Sequence, residues 1–303
     1  MSDHPSPFHG LSAFPVTPAL ADGIVDTDAL GSLVAGLVRP GVSSIGVMGS
    51  TGGYMYFDAG ERTRALLTAV QAAGDTPVLA GVGDLRTDAV LRHAENAAKA
   101  GVAGLLLAPV SYLPLTDADV TSLVADVVGA SGLAILLYNN PTTTGFSMSE
   151  ALVAQLSAME GVAAVKNPPA PGGDFAGQIE RLRAACAECF SLGYSGDAAI
   201  AGALKAGCDA WYSVVAGTLP DLAVAMWNAR ADADELDRLV AGTAPLWQTF
   251  GRYGSIRVVY EMQDMLGRRA TRLPAPLLPL GTDARGEIRD ALEAVVTTLG
   301  DGS

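Results

Sequence analysis

Lys166 stands at the end of GVAAVKNPP, behind an apolar run rich in Val and ahead of two prolines that cannot continue a strand. An amine at the end of a core element must pair, face a cavity or lose its proton, because an unpaired buried charge is costly. A neutral amine beside a carbonyl is a nucleophile that condenses to an imine. Lys99 (AAKAG) and Lys205 (ALKAG), the only other lysines, fall in the last turns of expected helices, where a cation suits the dipole. Lys166 has no such explanation, although a strand-end lysine snorkelling to solvent is the plain alternative. Tyr138 closes the apolar run LAILLY, and a buried phenol needs a partner and can carry a proton. A hydrogen bond to backbone would satisfy it equally. GSTGG at 49–53 sets two hydroxyls between glycines just before a helix, where backbone N–H groups can converge on an anion. An ordinary strand-to-helix turn has the same composition. Its glycine spacing fits neither nucleotide loop, which favours a carboxylate over a polyphosphate. Brought together, these groups suit Schiff-base chemistry on a 2-oxo acid. The neutral lysine attacks the keto carbon, the iminium stabilises an enamine beside it, the turn holds the carboxylate and the phenol moves protons. Such a reaction needs neither a metal nor an organic cofactor.

The elements that must position these groups repeat along the chain. Strands are expected at 11–16, 44–48, 78–82, 104–108, 134–138, 162–166, 190–194 and 210–214. Helices are expected between them, at 26–39, 59–73, 87–100, 117–128, 149–158, 175–187 and 198–206. RPGVSS, AAGDTP, KAGVAG, ASGLAI, MEGVAA and KAGCDA each place a glycine where a helix ends and a strand begins. Most strands are apolar on both faces, which predicts a parallel sheet covered by helices. Eight strands predict an α/β fold of the (β/α)8 TIM-barrel class; a doubly wound sheet is the alternative, but no G-x-G-x-x-G follows the first strand. In a barrel the active groups stand at the carboxyl ends of the strands, here GSTGG, APVSY, YNNP, KNPP and YSGD. The barrel domain is expected over 1–218. Beyond it, helices at 219–230, 233–253, 255–266 and 283–299 follow without strands, and LPAPLLPLG at 273–281 reads as an ordered linker. Residues 219–303 are thus expected to form a C-terminal helical domain.

Composition narrows the function. Half of the 303 residues are hydrophobic, enough for a large core, and the formal net charge of -13 argues against nucleic acid or an anionic membrane as partner. No apolar run reaches the length of a membrane span and MSDHPSPFHG lacks a signal pattern, so a cytoplasmic location is expected. Cys186, Cys189 and Cys208 are too few and odd in number for a disulfide framework. Cys186 and Cys189 form a C-x-x-C inside an expected helix, with no second pair and no nearby histidine, so they are read as packing residues and no metal site is expected. His4, His9 and His93 offer little scope for histidine acid–base chemistry.

Several blocks, in order and spacing, resemble one known family: FPVTP near the start, GSTGG followed by GER, PVLAGVG, LYNNPTTTG, the lysine of VAAVK, and SGD before a helix. Over nearly the whole chain they are similar to the dihydrodipicolinate synthase / N-acetylneuraminate lyase superfamily of class I aldolases. The resemblance implies a barrel with a C-terminal helical domain, usually a homotetramer built as a dimer of dimers. It implies a small 2-oxo acid such as pyruvate as substrate, with an aldehyde as a second partner. Lys166 would be the Schiff-base lysine and Tyr138 the proton-relay tyrosine. Ser50 and Thr51 would bind the pyruvoyl carboxylate, and Gly196 and Tyr212 would line the pocket through their backbone.

The departures bear on the second substrate. Where the synthases carry an arginine that grips its carboxylate, this chain has Thr143. Their P-Y-Y block supplies a tyrosine to a neighbouring subunit's site; here it reads Pro109-Val110-Ser111-Tyr112, leaving Ser111 or Tyr112 for that position. Gly53 stands where Glu is frequent, and Asn167-Pro168 follow the lysine in place of Glu or another polar residue. Sialic-acid lyases share the serine of GSTG, but their sugar-reading residues after strand 7 are not reproduced in DAAI. The expected function is therefore an aldolase, or a dehydratase, acting on another 2-oxo acid. Dihydrodipicolinate synthase proper and a non-catalytic 2-oxo-acid-binding barrel are the alternatives. A phosphate-binding barrel enzyme would need a glycine-rich anion site after strands 7 and 8, which YSGDAA and VVAGTLP match only weakly.

Overall fold

The computed structural model describes residues 6–20, 22–268 and 272–300. Eight short parallel strands close into a barrel in chain order, each paired with the next and the eighth with the first. They are β1 (Gly10–Ala13), β2 (Val42–Val47), β3 (Val78–Gly81), β4 (Gly104–Leu107), β5 (Ile135–Tyr138), β6 (Val162–Asn167), β7 (Ser191–Tyr194) and β8 (Ala210–Ser213). Nearly every strand residue is buried, as strands with a packed interior on one face and helices on the other must be. The covering helices are α1 (Thr27–Ala35), α2 (Ala59–Ala73), α3 (Thr87–Ala100), α4 (Asp117–Ser131), the short α5 (Pro141–Thr144), α6 (Glu150–Ser157), α7 (Phe175–Ala185) and α8 (Ile200–Lys205). Aspartate, threonine and serine side chains cap several of them, and Thr116 with Asp119 forms a full capping box on α4.

Five further helices follow: α9 (Pro220–Asn228), α10 (Ala233–Gly242), α11 (Ala244–Tyr253), α12 (Ser255–Met265) and α13 (Thr282–Gly300). They are anchored to the barrel by polar bonds as well as apolar packing. Buried Gln263 on α12 donates to the Thr218 hydroxyl at 3.1 Å, just after the last strand. Buried Glu261 on the same helix is paired with Arg285 of α13 and accepts the Leu280 N–H. Between them, α11 and α12 bring Phe250, Gly251, Ser255 and Ile256 to the carboxyl end of the barrel.

The differences from the expected elements have local causes. A single helix over 233–253 is instead α10 and α11. Pro245 in the first turn of α11 has no N–H to continue the ladder, and the Thr243 hydroxyl takes up the Leu239 carbonyl at 2.7 Å. Lys166 is not the last strand residue: Ser195 N–H reaches the Asn167 carbonyl at 2.8 Å and carries pairing one residue further. The helix expected to hold Cys186 and Cys189 stops at Ala185, where the chain turns to bury Phe190. Cys186 is half-buried and Cys189 exposed, so the pair is not helix packing; Cys208 is buried, and all three are free thiols. Residues 1–5, with His4 and half of the segment inspected for a signal, lie outside the described residues. No helix among the described residues is long and apolar enough to cross a membrane.

Candidate active site

Parallel pairing in register sets the central geometry. Tyr138 on β5 lies opposite Lys166 on β6, so both side chains leave the sheet on the same face, into the barrel. Glycines make the room they need. A Cβ on Gly46 would stand 2.3 Å from the Phe14 ring, and one on Gly193, the β7 neighbour of Lys166, 2.3 Å from the Tyr212 ring. Without those Cβ atoms, Phe14 and Tyr212 fit edge to face, ring centroids 6.1 Å apart, as an aromatic floor.

The Lys166 Nζ sits on this floor. It lies 3.7 Å from the Phe14 centroid, 4.9 Å from that of Tyr138 and 5.9 Å from that of Tyr212. The residue is 4% exposed, and Nζ makes no hydrogen bond and no ion pair to another described residue. Burial lowers its pKa from 10.5 to about 7, with the nearby Asp197 carboxylate pulling the other way. Asp197 is itself buried, accepting from Trp211 Nε1 at 2.9 Å and from the Val215 N–H at 2.7 Å, while desolvation holds its pKa above the usual carboxylate range.

A cavity of about 690 Å³ opens above the amine. Its lining brings together Lys166, Tyr138, Ser50, Thr51, Thr143 and Gly196 from the carboxyl ends of four strands, β2, β5, β6 and β7, and the segments that follow them. Thr142, Ser255, Tyr56 and the apolar Met55, Phe250, Ile256 and Leu277 also line it. Lys166 and Asp197 are the only Asp, Glu, Lys or Arg side chains among the described lining residues. Ser50 does more than border an anion site: its hydroxyl is 3.3 Å from the Tyr138 hydroxyl. In the GSTGG turn the Gly53 and Tyr54 N–H groups are used within the turn, whereas those of Ser50, Thr51 and Gly52 have no acceptor among the described residues. Met48, just before it, adopts φ 58°, a left-handed conformation costly for a side-chain-bearing residue, which redirects the chain at this strand end. Ser50 and Thr51 line the same cavity as Lys166, where free backbone donors suit a carboxylate.

Two expected site residues are not among those lining this cavity. Tyr212 does not line the cavity; its place on β8 puts the ring beneath the amine, and its hydroxyl donates to the Phe8 carbonyl at 3.2 Å, deep in the barrel. Tyr112 is 90% exposed and outside the cavity of its own chain, because the residues after β4 form a local turn in which the Ser111 hydroxyl accepts the Leu113 N–H. Phe14, Asn140 and Asp197 belong to the site and carry no distinctive sequence signal. The Asn140 amide donates to the Tyr138 hydroxyl at 2.6 Å. They stand in FPVTP, YNNP and YSGD, where composition does not separate a floor residue or a counter-charge from ordinary packing. His93 is buried against Asp84, with Nε2 to Oδ2 at 3.1 Å, and takes no part in the cavity. Among the described residues no group of three or more His, Cys, Asp or Glu could hold a metal ion.

An amine with a pKa near 7 makes a definite pH dependence. With Lys166 as nucleophile, the expected result is a rate of imine formation with pyruvate that rises as pH increases through about 7 and levels above it; an ordinary lysine would still be gaining near pH 10. Borohydride quenching at timed intervals across pH 5–10 measures this. The same shift makes this group's contribution to stability rise between pH 7 and 10.5, where the unfolded chain holds a proton that the folded chain lacks. Replacing Asp197 by alanine moves the kinetic limb to lower pH, because the carboxylate raises the amine's pKa. It also strands the Trp211 and Val215 donors, costing about 2–4 kcal/mol in urea unfolding.

The sequence profile of the dihydrodipicolinate synthetase family matches residues 7–295. A 4-hydroxy-tetrahydrodipicolinate synthase of Methanothrix thermoacetophila is 29% identical over 97% of this chain and 99% of its own length. An uncharacterized DapA-like lyase of Halobacterium salinarum is 28% identical over 99% and 96%. Among solved structures, the dihydrodipicolinate synthase of Agrobacterium tumefaciens is similar with a TM-score of 0.93 and 43% identity, covering 95% of this chain and 98% of that one. A lysine one residue before the end of β6, a tyrosine in register on β5, and a profile match over nearly the full length make one conclusion: the chain belongs to the dihydrodipicolinate synthetase family.

Proposed function

We propose that this protein is a class I aldolase or lyase that forms a Schiff base between Lys166 and pyruvate or a related 2-oxo acid, and makes or breaks a C–C bond, or dehydrates a sugar-derived 2-oxo acid. The observation that carries the reading is the placement of the amine: buried, without a hydrogen-bonding partner among the described residues, and beneath an open cavity, where burial lowers its pKa. A lysine that served packing or surface charge would gain nothing from this placement, whereas a nucleophile must be uncharged to attack. The Ser50–Thr51 turn binds the acid's carboxylate, Tyr138 moves protons with Ser50 beside it, and Gly196 and Thr143 border the bound substrate. The iminium is the electron sink, so the reaction as written calls for no metal or organic cofactor. Thr143 on the cavity wall supports a second substrate other than aspartate semialdehyde. A homotetramer, a dimer of dimers in the cytoplasm, belongs to the same reading and would give the exposed Tyr112–Leu113 tip a cover.

The test is intact mass after borohydride treatment with pyruvate, beside a turnover assay with pyruvate and aspartate semialdehyde. The expected result is one reduced adduct per chain with little turnover of the semialdehyde. An unmodified chain would make it a non-catalytic 2-oxo-acid-binding barrel, and robust turnover would make it dihydrodipicolinate synthase proper.

A further inference from the structure

Asn140 makes a hydrogen bond that its place in the chain does not call for. It is the N-cap residue of α5, with Pro141 in the first turn. An asparagine there ordinarily turns its side-chain oxygen onto an N–H of that turn, and no such bond forms here. The backbone carbonyl of Asn140 closes the turn instead, accepting from the Thr143 N–H at 3.1 Å, the Thr144 N–H at 3.0 Å and the Thr144 hydroxyl at 2.9 Å. The side chain is left to line the cavity, and its Nδ2 donates to the Tyr138 hydroxyl oxygen at 2.6 Å. The other neighbour of that oxygen is the Ser50 hydroxyl, at 3.3 Å.

We propose that Asn140 is a positioning residue for proton transfer: its amide aims the Tyr138 proton toward Ser50 and the substrate and holds the phenolate once that proton has left. This rests on the Schiff-base reading above. A phenol oxygen that accepts from Asn140 must point its own hydrogen elsewhere, and Ser50 and the cavity are the directions open to it. The proton then has a complete itinerary. Lys166 Nζ attacks the keto carbon, the C–N bond forms, and a proton passes from nitrogen to oxygen to give the neutral carbinolamine. Tyr138 gives its proton to the carbinolamine hydroxyl, the C–O bond breaks, and water leaves an iminium and a phenolate. The phenolate takes a proton from the methyl carbon of the iminium, giving the enamine and restoring the phenol. Asn140 stabilises the middle state most, because a donor binds an anionic oxygen about twice as strongly as a neutral one. An interaction stronger in that state than in the resting enzyme is one that raises the rate.

Exchange of the pyruvate methyl protons in deuterium oxide, followed by proton NMR, reads this proton path and needs no second substrate. In N140L exchange falls about 10- to 100-fold. The fraction of chain trapped by borohydride at equilibrium stays within twofold of the parent. N140D keeps the shape but offers a carboxylate where a donor stood, so exchange falls at least as far. Exchange within twofold of the parent in N140L would overturn the proposal. So would a parallel fall of exchange, trapped fraction and melting temperature in both variants, the mark of a merely structural loop residue. Failure of the parent chain to trap pyruvate at all would instead overturn the Schiff-base reading.

Discussion

Replacing Lys166 by methionine removes turnover of the 2-oxo acid by about 10^4-fold or more while leaving the fold intact. No other lysine can take over. Lys99 and Lys205 lie in the last turns of α3 and α8, at the opposite end of the barrel, where Lys205 pairs with Asp237. Methionine fills much of the lysine stem's volume beside Phe14, Tyr138 and Tyr212 and removes a group whose charged form burial disfavours. K166M is therefore expected to melt no lower than the parent at pH 6, in differential scanning calorimetry, while its borohydride adduct disappears. Arginine at this position behaves differently. Its guanidinium cannot lose a proton, so K166R loses turnover and stability together. A methionine variant with residual turnover above about a hundredth of the parent would mean that the amine is not the nucleophile.

The second large effect is expected at Tyr138. Y138F lowers turnover and pyruvate methyl exchange by about 10^2- to 10^4-fold, the range for loss of a positioned acid–base group. Its equilibrium imine fraction falls little, since a proton carrier changes rates and not the balance between free acid and imine. The phenol's partners are the Asn140 amide and the Ser50 hydroxyl, both at the cavity, where water can replace the lost oxygen. The stability cost is therefore about 1 kcal/mol or less in urea unfolding. Loss of the adduct in Y138F would assign the tyrosine to the floor beneath the lysine and leave proton transfer to another group.

How much of this the sequence disclosed depends on the kind of information each feature needs. The barrel was legible because eight apolar strands, six of them preceded by a glycine where a helix gives way to a strand, impose a period that survives errors of up to four residues at the ends. The break at Thr243 lay in Gly242 and Pro245, which a reading by helical period alone passes over. Lys166 and Tyr138 were legible because a charge and a phenol at the ends of buried strands are locally unusual. Tyr212 is expected to line the pocket through its backbone, and how far below the cavity it lies depends on the register of β8 against β1 and β7, which the order of residues does not specify. Asn140 was hidden by its own plausibility: an asparagine before a proline reads as a helix cap, and only the geometry shows its side chain turned elsewhere. Asp197 required knowledge of what lies across the barrel end, since its carboxylate is held by Trp211 and Val215 from the next strand and loop.

Peptide mapping after incubation with pyruvate and borohydride tests the central claim most directly. The added three-carbon acid should be found on the peptide containing Lys166 and at that side chain alone, with Lys99 and Lys205 unmodified. Reduction product on either of those two lysines, or none on 166, would contradict the account.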